Sequence, residues 1–302
     1  MNLSIERIQR RLKPPPWRKG IRAYLALTKP LIVALQLVTT LAAMIIAAEG
    51  WPKWDVVLWT LLGSALTAGG ASTLNQYIDR ETDPLMVRTS QRPLPQAHVD
   101  ETKALIFGIV LSILGPTFLA TFVNPLSAAL AALGVLYYVV FYSILLKPTT
   151  PQNIVIGGGA GSIPPLVGWA AATGELSVAA FFLCAVVFFW TPTHFWALAL
   201  LRKNDYQRAG IPMFPVTFGD QATRWQILLY AVQVVALTLL LPVVQIGSWL
   251  YWVVAALLGS GLIYHALRVL RTGNQNVTRS LYRYSNYYLG LIFVLLVIDT
   301  II

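Results

Sequence analysis

The sequence predicts an all-α, polytopic membrane protein that crosses the bilayer nine times. Hydrophobic residues make up 57% of the 302 residues and charged residues only 11%, whereas a soluble domain carries about 25% charged residues. The apolar residues gather in nine runs, each close to the roughly 20 residues that cross a bilayer as a helix. Taken alone, the net charge of +10 would suit a protein that binds nucleic acid. Its placement along the chain indicates membrane orientation instead, so we expect no nucleic-acid partner.

The nine predicted helices follow one another in order along the chain. They lie near residues 25–48, 56–78, 103–123, 126–145, 154–172, 178–201, 226–246, 249–271 and 284–302. Asn124-Pro125 and Gly247-Ser248 are turn signals. The third and fourth helices, and the seventh and eighth, are therefore predicted to form tight hairpins.

The fifth apolar run contains the glycine-rich stretch Gly157–Gly161. A dinucleotide-binding loop would follow a strand, and no strand is predicted ahead of this stretch. Close helix packing through small residues is the preferred interpretation. The Pro164-Pro165 pair just after it is expected to bend or break the helix.

Lysine and arginine predict the orientation of the bundle. With nine spans, 21 of the 22 basic residues fall on one side of the membrane, and only Lys53 falls on the other. The positive-inside rule then places the N-terminus in the cytoplasm and the C-terminus on the opposite side.

Residues 1–24 form a basic arm ahead of a membrane domain that covers residues 25–302. Ile5, Ile8 and Leu12 share one helical face beside arginines, which is typical of a short interfacial helix. The first apolar run is long for a cleavable signal, so none is expected. A bacterial cell membrane is the expected location. The mitochondrial inner membrane is the alternative, since the Arg-rich, acid-poor arm also suits a transit peptide.

Three polar residues close the second predicted helix at four-residue intervals: Asn75, Asp79 and Asp83. On a continuous helix they would lie on one face and span roughly 12 Å along the axis. Carboxylates at a bilayer edge are costly and indicate a function. Binding of a divalent cation that carries a polyphosphate would be such a function. Arg88 and Arg92 would then neutralise the remaining negative charge.

A second cluster of acid and base follows the sixth predicted helix. Asp205 lies there beside Lys203 and Arg208, on the same predicted side as the first cluster. Phosphoryl oxygens are bound by such a mixture of metal-holding carboxylates and basic groups. The alternative is that basic clusters at a membrane edge bind lipid headgroups or enforce topology.

His194 is an ionisable residue inside the sixth predicted span. Such residues normally face the interior of a helical bundle. A structural hydrogen bond and a contact with a second substrate both remain open. Pro192, two residues earlier, frees a backbone carbonyl and is expected to kink the helix.

Four stretches carry a resemblance to a known family. They are Asn75-x3-Asp79-x3-Asp83 with the following Met86–Leu94, then residues 142–158, residues 194–198 and residues 205–213. The first resembles the leading signature of the UbiA-type intramembrane prenyltransferases. The other three are similar to the branch of that family that acts on haem. One departure is that Ala209 stands where many members have a second Asp.

The resemblance implies a nine-helix UbiA-type bundle that transfers a farnesyl group from farnesyl diphosphate to haem B. It implies Mg2+ as cofactor, held by Asn75, Asp79 and Asp83, and haem O and diphosphate as products. Asp205 would orient Lys203 or a metal-bound water, and His194 is the candidate haem contact. The diphosphate would be bound by Arg88, Arg92, Lys147 and Lys203. Haem A synthase and terminal-oxidase assembly proteins are the implied protein partners, in a lipid membrane.

Aromatic side chains near helix ends are expected to stabilise an allylic cation. The candidates are Tyr77, Tyr137, Tyr138, Tyr142 and Trp196. Two rival functions remain open at this level. One is prenylation of an aromatic quinone precursor, and the other is transport of an anionic lipid, for which basic loops and broken helices are also natural.

Overall fold

The computed structural model describes the backbone of residues 16–302 and the side chains of residues 20–302. The predicted interfacial helix with Ile5, Ile8 and Leu12 lies outside the described residues. Within the described range, nine helices are long and apolar enough to cross a membrane, which confirms the predicted number.

Twelve helices are labelled here in chain order, and their bounds are as follows. They are α1 (Pro16–Leu27), α2 (Pro30–Ala47), α3 (Trp54–Ile78), α4 (Glu101–Phe122), α5 (Pro125–Leu136), α6 (Asn153–Thr173), α7 (Val178–Leu201), α8 (Lys203–Arg208), α9 (Phe214–Thr217), α10 (Gly219–Leu240), α11 (Trp249–Thr272) and α12 (Gln275–Ile301). All except α1, α8 and α9 are the membrane helices.

The first membrane helix begins at Pro30, five residues later than predicted. Residues 25–27 belong to α1, and the chain turns between the two helices at Lys29, which has the left-handed backbone angles φ 52° and ψ 60°. A residue that precedes proline is disfavoured in the α conformation, which explains the break. Helices α10 and α12 begin seven and nine residues earlier than the predicted residues 226 and 284. Their first turns are polar, so a prediction from apolar runs does not include them.

Glycines bring α3 and α4 into close contact. Gly63 and Gly70 on α3 face Gly115 and Gly108 on α4, and the two glycines on each helix are spaced seven positions apart. A Cβ atom at Gly70 would lie 2.5 Å from the Ser112 backbone nitrogen. Helices can approach this closely only where the side chain is absent. The contact fixes the position of α3, whose C-terminal end carries Asn75.

Helix α5 continues as a π-helical segment, Tyr137–Leu146, and a final turn, Lys147–Thr149. The Ser143 hydroxyl donates to the Tyr138 carbonyl five residues earlier, at 2.8 Å. The Tyr138 and Tyr142 rings stack with centroids 5.6 Å apart. Such segments are rare and concentrate at functional sites.

Helices α6 and α7 remain continuous through their prolines. Of the predicted bend or break at Pro164-Pro165, the break does not occur, since loss of one or two backbone donors leaves the remaining hydrogen bonds of α6 in place. Asn124 and Ser248 cap α5 and α11, which confirms the two predicted hairpins. The second half of the bundle, from α7 to α12, is filled by one large buried apolar cluster.

Candidate active site

The three polar residues predicted from the first cluster are all buried at one end of α3. Asn75, Asp79 and Asp83 are 3%, 6% and 0% exposed. The α-helix ends at Ile78, and Asp79 and Asp83 each open a short 3-10 turn. The continuous helix assumed for their spacing is therefore wrong beyond Ile78, and Pro84 accounts for the tightened end.

Each carboxylate of this cluster is paired with a basic side chain. The Lys147 ammonium lies 2.6 Å from an Asp79 oxygen, and Arg92 donates to both Asp83 oxygens at 2.7 and 2.9 Å. The Asn75 amide donates to the other Asp79 oxygen at 3.1 Å. The structure thus brings together five of the predicted site residues. Burial raises the pKa of the Asp83 carboxyl, and the charge and hydrogen bond of Arg92 oppose that rise.

Lys29 is a member of the cluster that the sequence did not single out. Its ammonium donates to the side-chain amide oxygen (Oδ1) of Asn75 at 2.6 Å and lies 3.4 Å from the Tyr138 hydroxyl. Burial, together with the nearby charge of Arg92, lowers its pKa to about 7. The Lys29-Pro30 pair is the sequence feature that could have indicated this role. The break before Pro30 turns the Lys29 side chain inward at the start of the helix.

The two charged loops meet on one face of the bundle, as predicted. Met86 from the first loop packs in the same buried cluster as Tyr206, Ile211 and Met213 from the second. Burial raises the pKa of the Tyr206 phenol, while the nearby positive charge of Arg88 opposes the rise. The Arg88 guanidinium of the first loop therefore lies near Tyr206 of the second.

The second acidic cluster is paired differently from the prediction. Asp205 forms an ion pair with Arg208, one turn further along α8. Lys203 instead lies 2.7 Å from Asp220 at the start of α10. The expectation that Asp205 orients Lys203 is wrong, because the first turn of α8 points the two side chains to different partners.

A cavity runs from this cluster into the bundle. Its walls come from α2, α3, α5, α6 and α7. Lys29 and Tyr138 belong both to the cluster and to the cavity wall. Most of the lining is apolar or small, with a few hydroxyl groups. The lining suits a hydrocarbon chain.

Two of the five candidate aromatic residues, Tyr138 and Tyr142, line the cavity. Trp196 is fully buried against Phe214 in the core of the second half. Tyr77 lies beneath the Arg80 guanidinium, 4.5 Å from its ring centroid. Tyr137 donates from its hydroxyl to the Ile156 carbonyl.

His194 lies on the side of α7 that faces α12. Its ring is stacked between Trp190 and Tyr282, with centroids 4.5 Å from each, and its Nδ1 atom lies 2.9 Å from the Ser285 hydroxyl. Thr191 and Phe195, its neighbours on α7, line the cavity. The structural hydrogen bond expected for this residue is present.

The donor set fits a magnesium ion that arrives with its phosphate. Within residues 16–302, no three acidic, histidine or cysteine side chains converge as a preformed metal site. The first cluster instead offers two carboxylates and one carboxamide, all oxygen donors. Mg2+ prefers oxygen and usually binds through one or two carboxylates together with substrate phosphates, so this partial set is sufficient.

Solved membrane enzymes have the same fold. The structure of digeranylgeranylglyceryl phosphate synthase superimposes with a TM-score of 0.79 at 17% identity, covering 93% of this chain and 99% of that one. A UbiA homologue from Archaeoglobus fulgidus bound to GPP and Mg2+ superimposes with a TM-score of 0.63 at 17% identity, covering 91% and 99%. These likenesses establish the predicted all-α bundle.

Curated relatives are similar at the level of sequence. Protoheme IX farnesyltransferase from Chloroflexus aurantiacus is 48% identical over 95% of this chain and 49% of its own length. Protoheme IX farnesyltransferase 1 from Pseudomonas fluorescens (strain Pf0-1) is 45% identical over 92% of this chain and 93% of its own. The chain spans about half the length of the first three curated relatives that it matches.

The family profile covers most of the bundle. The UbiA prenyltransferase family matches residues 36–290, a range that contains Asn75, Asp79, Asp83 and both charged loops. The nine apolar helices agree with a multi-pass membrane protein. The chain belongs to the UbiA prenyltransferase family.

Proposed function

We propose that this protein transfers the farnesyl group of farnesyl diphosphate to a vinyl group of haem B, giving haem O and diphosphate. The observation that carries the proposal is a buried cluster of carboxylates and basic groups at the mouth of an apolar cavity. A prenyl diphosphate has the same polarity, with a charged head and a hydrocarbon tail. The relatives described as protoheme IX farnesyltransferases support haem as the acceptor.

The polar cluster binds the head of the donor. Asn75, Asp79 and Asp83 would hold Mg2+, which withdraws charge from the diphosphate oxygens when bound. Lys147, Arg92 and Lys29 lie beside these three side chains and would bind the diphosphate oxygens directly. Their charge stabilises the diphosphate as it leaves, when its negative charge is greatest.

Arg88, Lys203 and Asp205 close the site from the loops. The charge of Arg88 lies near Tyr206 on the second loop, so Arg88 would bind the diphosphate from the side where the two loops meet. Lys203 binds phosphate only after it exchanges its Asp220 partner for the ligand. Asp205 would orient a water near the metal or hold Arg208 in place.

The cavity holds the tail and protects the reacting carbon. Loss of diphosphate leaves an allylic cation at the first carbon of the farnesyl chain. The Tyr138 and Tyr142 rings lie at the mouth, where that carbon would be, and their faces attract a cation. The apolar walls limit access of water, which would otherwise capture the cation before the acceptor does.

The haem acceptor supplies the electrons for the new bond. The vinyl π pair attacks the farnesyl carbon, and water adds to the resulting carbocation and releases one proton. One water is consumed and diphosphate leaves, which balances the conversion of haem B to haem O. His194 is the candidate haem contact, and it contacts iron only if the α7–α12 gap opens.

The orientation and setting follow from the charge distribution. The charged loops face the cytoplasm, the C-terminus lies on the opposite side, and a bacterial cell membrane is the expected location. Haem A synthase and terminal-oxidase assembly proteins are the partners that this product implies.

The test compares purified wild-type protein with Asp79→Asn and Asp83→Asn, given farnesyl diphosphate, haem B and Mg2+. We expect haem O formation to fall by about 10²-fold or more in each variant, because a metal-binding charge is lost. Asp55→Asn, at the opposite end of α3, is the matched control. Wild-type yields from both site variants would refute the metal assignment. A farnesylated quinone precursor, detected by mass in place of haem O, would refute the acceptor.

A further inference from the structure

A buried glutamine on α3 holds the end of α1. Gln76 directly follows Asn75 in the chain and is only 1% exposed. Its side-chain nitrogen donates to the Ala26 carbonyl at 3.1 Å and to the Leu27 carbonyl at 2.9 Å. Gln76 therefore ties the last turn of α1 to the helix that carries Asn75.

Pro30 explains why these carbonyls take a partner from another helix. In a continuous helix the N–H of residue 30 would donate to the Ala26 carbonyl, but proline has no N–H. The Ala26 carbonyl instead accepts a longer bond of 3.3 Å from the Lys29 N–H. Carbonyls at the end of a helix need a cap, and the Gln76 amide supplies one from α3.

Packing holds the same turn from two further directions. Leu27 is fully buried in an apolar cluster that includes residues of the first charged loop and of α4. A Cβ atom at Gly69, seven residues before Gln76 on α3, would lie 3.3 Å from the Thr28 Cβ atom. Positions seven residues apart lie on the same face of a helix. One face of α3 therefore supports residues 26–28 through Gly69 and Gln76.

The turn that Gln76 holds leads directly to Lys29. This residue lies two positions after Leu27, has a left-handed φ of 52°, and donates from its ammonium to Oδ1 of Asn75 at 2.6 Å. The left-handed conformation is unfavourable for any residue with a Cβ atom. Release of the α1 carbonyls would let Lys29 leave that conformation and move its ammonium away from Asn75.

We propose that Gln76 is a positioning residue that acts on the diphosphate through Lys29. Gln76 fixes the end of α1, the fixed turn keeps Lys29 in its left-handed conformation, and the ammonium stays at the donor site. Gln76 touches no ligand in this role. The inference rests on the proposed function, because it assumes that the diphosphate binds at Lys29.

The experiment is a double-mutant cycle on Gln76 and Lys29. Gln76→Met keeps the length of the side chain and removes its N–H donors. It should raise the KM for farnesyl diphosphate about three- to tenfold, the effect of a lost hydrogen bond. In a Lys29→Met background the same substitution should change the KM by less than about twofold, because two residues that act as one unit are not additive.

Thr73→Val is the matched control on the same helix. Thr73 is fully buried, and its hydroxyl donates to the Gly69 carbonyl within α3 at 2.9 Å. The valine removes a buried hydrogen bond but none to α1, so the KM should change by less than about twofold in either background. Gln76→Asn keeps the amide on a shorter side chain. It should give a smaller rise in KM than Gln76→Met and guards against misfolding of that variant.

Two results would overturn the proposal. One is a KM that stays unchanged in both Gln76→Met and Gln76→Asn. The other is the same rise in KM for Gln76→Met with and without Lys29, which a general loosening of α3 would produce.

Binding separates this inference from the proposed reaction. The rise in melting temperature that farnesyl diphosphate causes in the presence of Mg2+ reports its affinity without any acceptor, and the same cycle can be measured from it. If wild-type protein makes no haem O but the two substitutions are still coupled in binding, only the reaction fails. If haem O forms and the two substitutions act independently, only the positioning role fails.

Discussion

Lys29 shows how a single backbone angle can place a functional group. Its left-handed conformation turns the chain between α1 and α2 and directs the ammonium to the Asn75 carboxamide. A non-glycine residue in this region of backbone space is strained by about 1 kcal/mol or more. The surrounding contacts therefore hold Lys29 in place at some cost.

Replacing Lys29 should weaken binding of the donor. Lys29→Met should raise the KM for farnesyl diphosphate about tenfold or more, since a buried charge-assisted hydrogen bond is lost. Lys29→Arg should restore part of the affinity. Lys53→Met, at the exposed opposite end of the bundle, controls for the loss of one positive charge. An unchanged KM in Lys29→Met would show that this ammonium does not contact the diphosphate.

At the scale of single residues, the sequence predicted most of the contacts around Asn75 and Asp79. It predicted few of the contacts made by Lys203 and His194. Asn75, Asp79 and Lys147 come together as expected, because strong sequence features mark the helix end and its charges. Lys203 and His194 have partners on α10 and α12. Spacing along the chain does not reveal such contacts, since they depend on how distant helices pack.

At the scale of elements, the α3–α4 pair supports the site. Its glycines let two helices approach until a Cβ atom at Gly115 would lie 2.5 Å from the Thr67 backbone nitrogen. Asn75 lies on the same helix and Asp79 directly follows its end, so a change in the helix spacing also moves the carboxylates.

Gly115→Val should separate the two helices. We expect a loss of about 1–3 kcal/mol of stability from overpacking, seen as a lower melting temperature in detergent, and a larger loss of activity than of folded protein. Gly290→Val adds the same atoms on α12, where the added Cβ meets no described atom within 4 Å, and should have little effect. Equal melting temperatures for the two variants would contradict the close contact.

Among the elements, the spans themselves were predictable and their irregularities were not. Hydropathy and caps such as Asn124 located the hairpins. The π-helical segment Tyr137–Leu146 has the same apolar composition as an ordinary span, so only its three-dimensional packing reveals it. The same limit applies to the early starts of α10 and α12.

At the scale of the molecule, the bundle has an open half and a filled half. The cavity lies among α2, α3, α5, α6 and α7, whereas α10 to α12 pack into a continuous apolar core. The two charged loops join above both halves through Met86 and Tyr206. Of this arrangement, the sequence predicted only that the two charged loops lie on the same face of the bundle.

That shared face can be tested by labelling. In a Cys184→Ser background, Gln91→Cys and Gln207→Cys should react with a membrane-impermeant maleimide from the same side. Glu175→Cys, in the α6–α7 connection, should react from the other side. All three positions are exposed. Labelling of Gln91→Cys and Gln207→Cys from opposite sides would contradict a single site built from both loops.

The ion pairs at the end of α3 have a consequence for the order in which ligands arrive. A free divalent ion must displace Lys147 and Arg92 from their carboxylates, so it competes with cations that are already present. A diphosphate gives those cations a new partner and thereby lowers the cost of their displacement. Ion and prenyl diphosphate should therefore bind cooperatively, and by linkage each should raise the affinity of the other by the same factor.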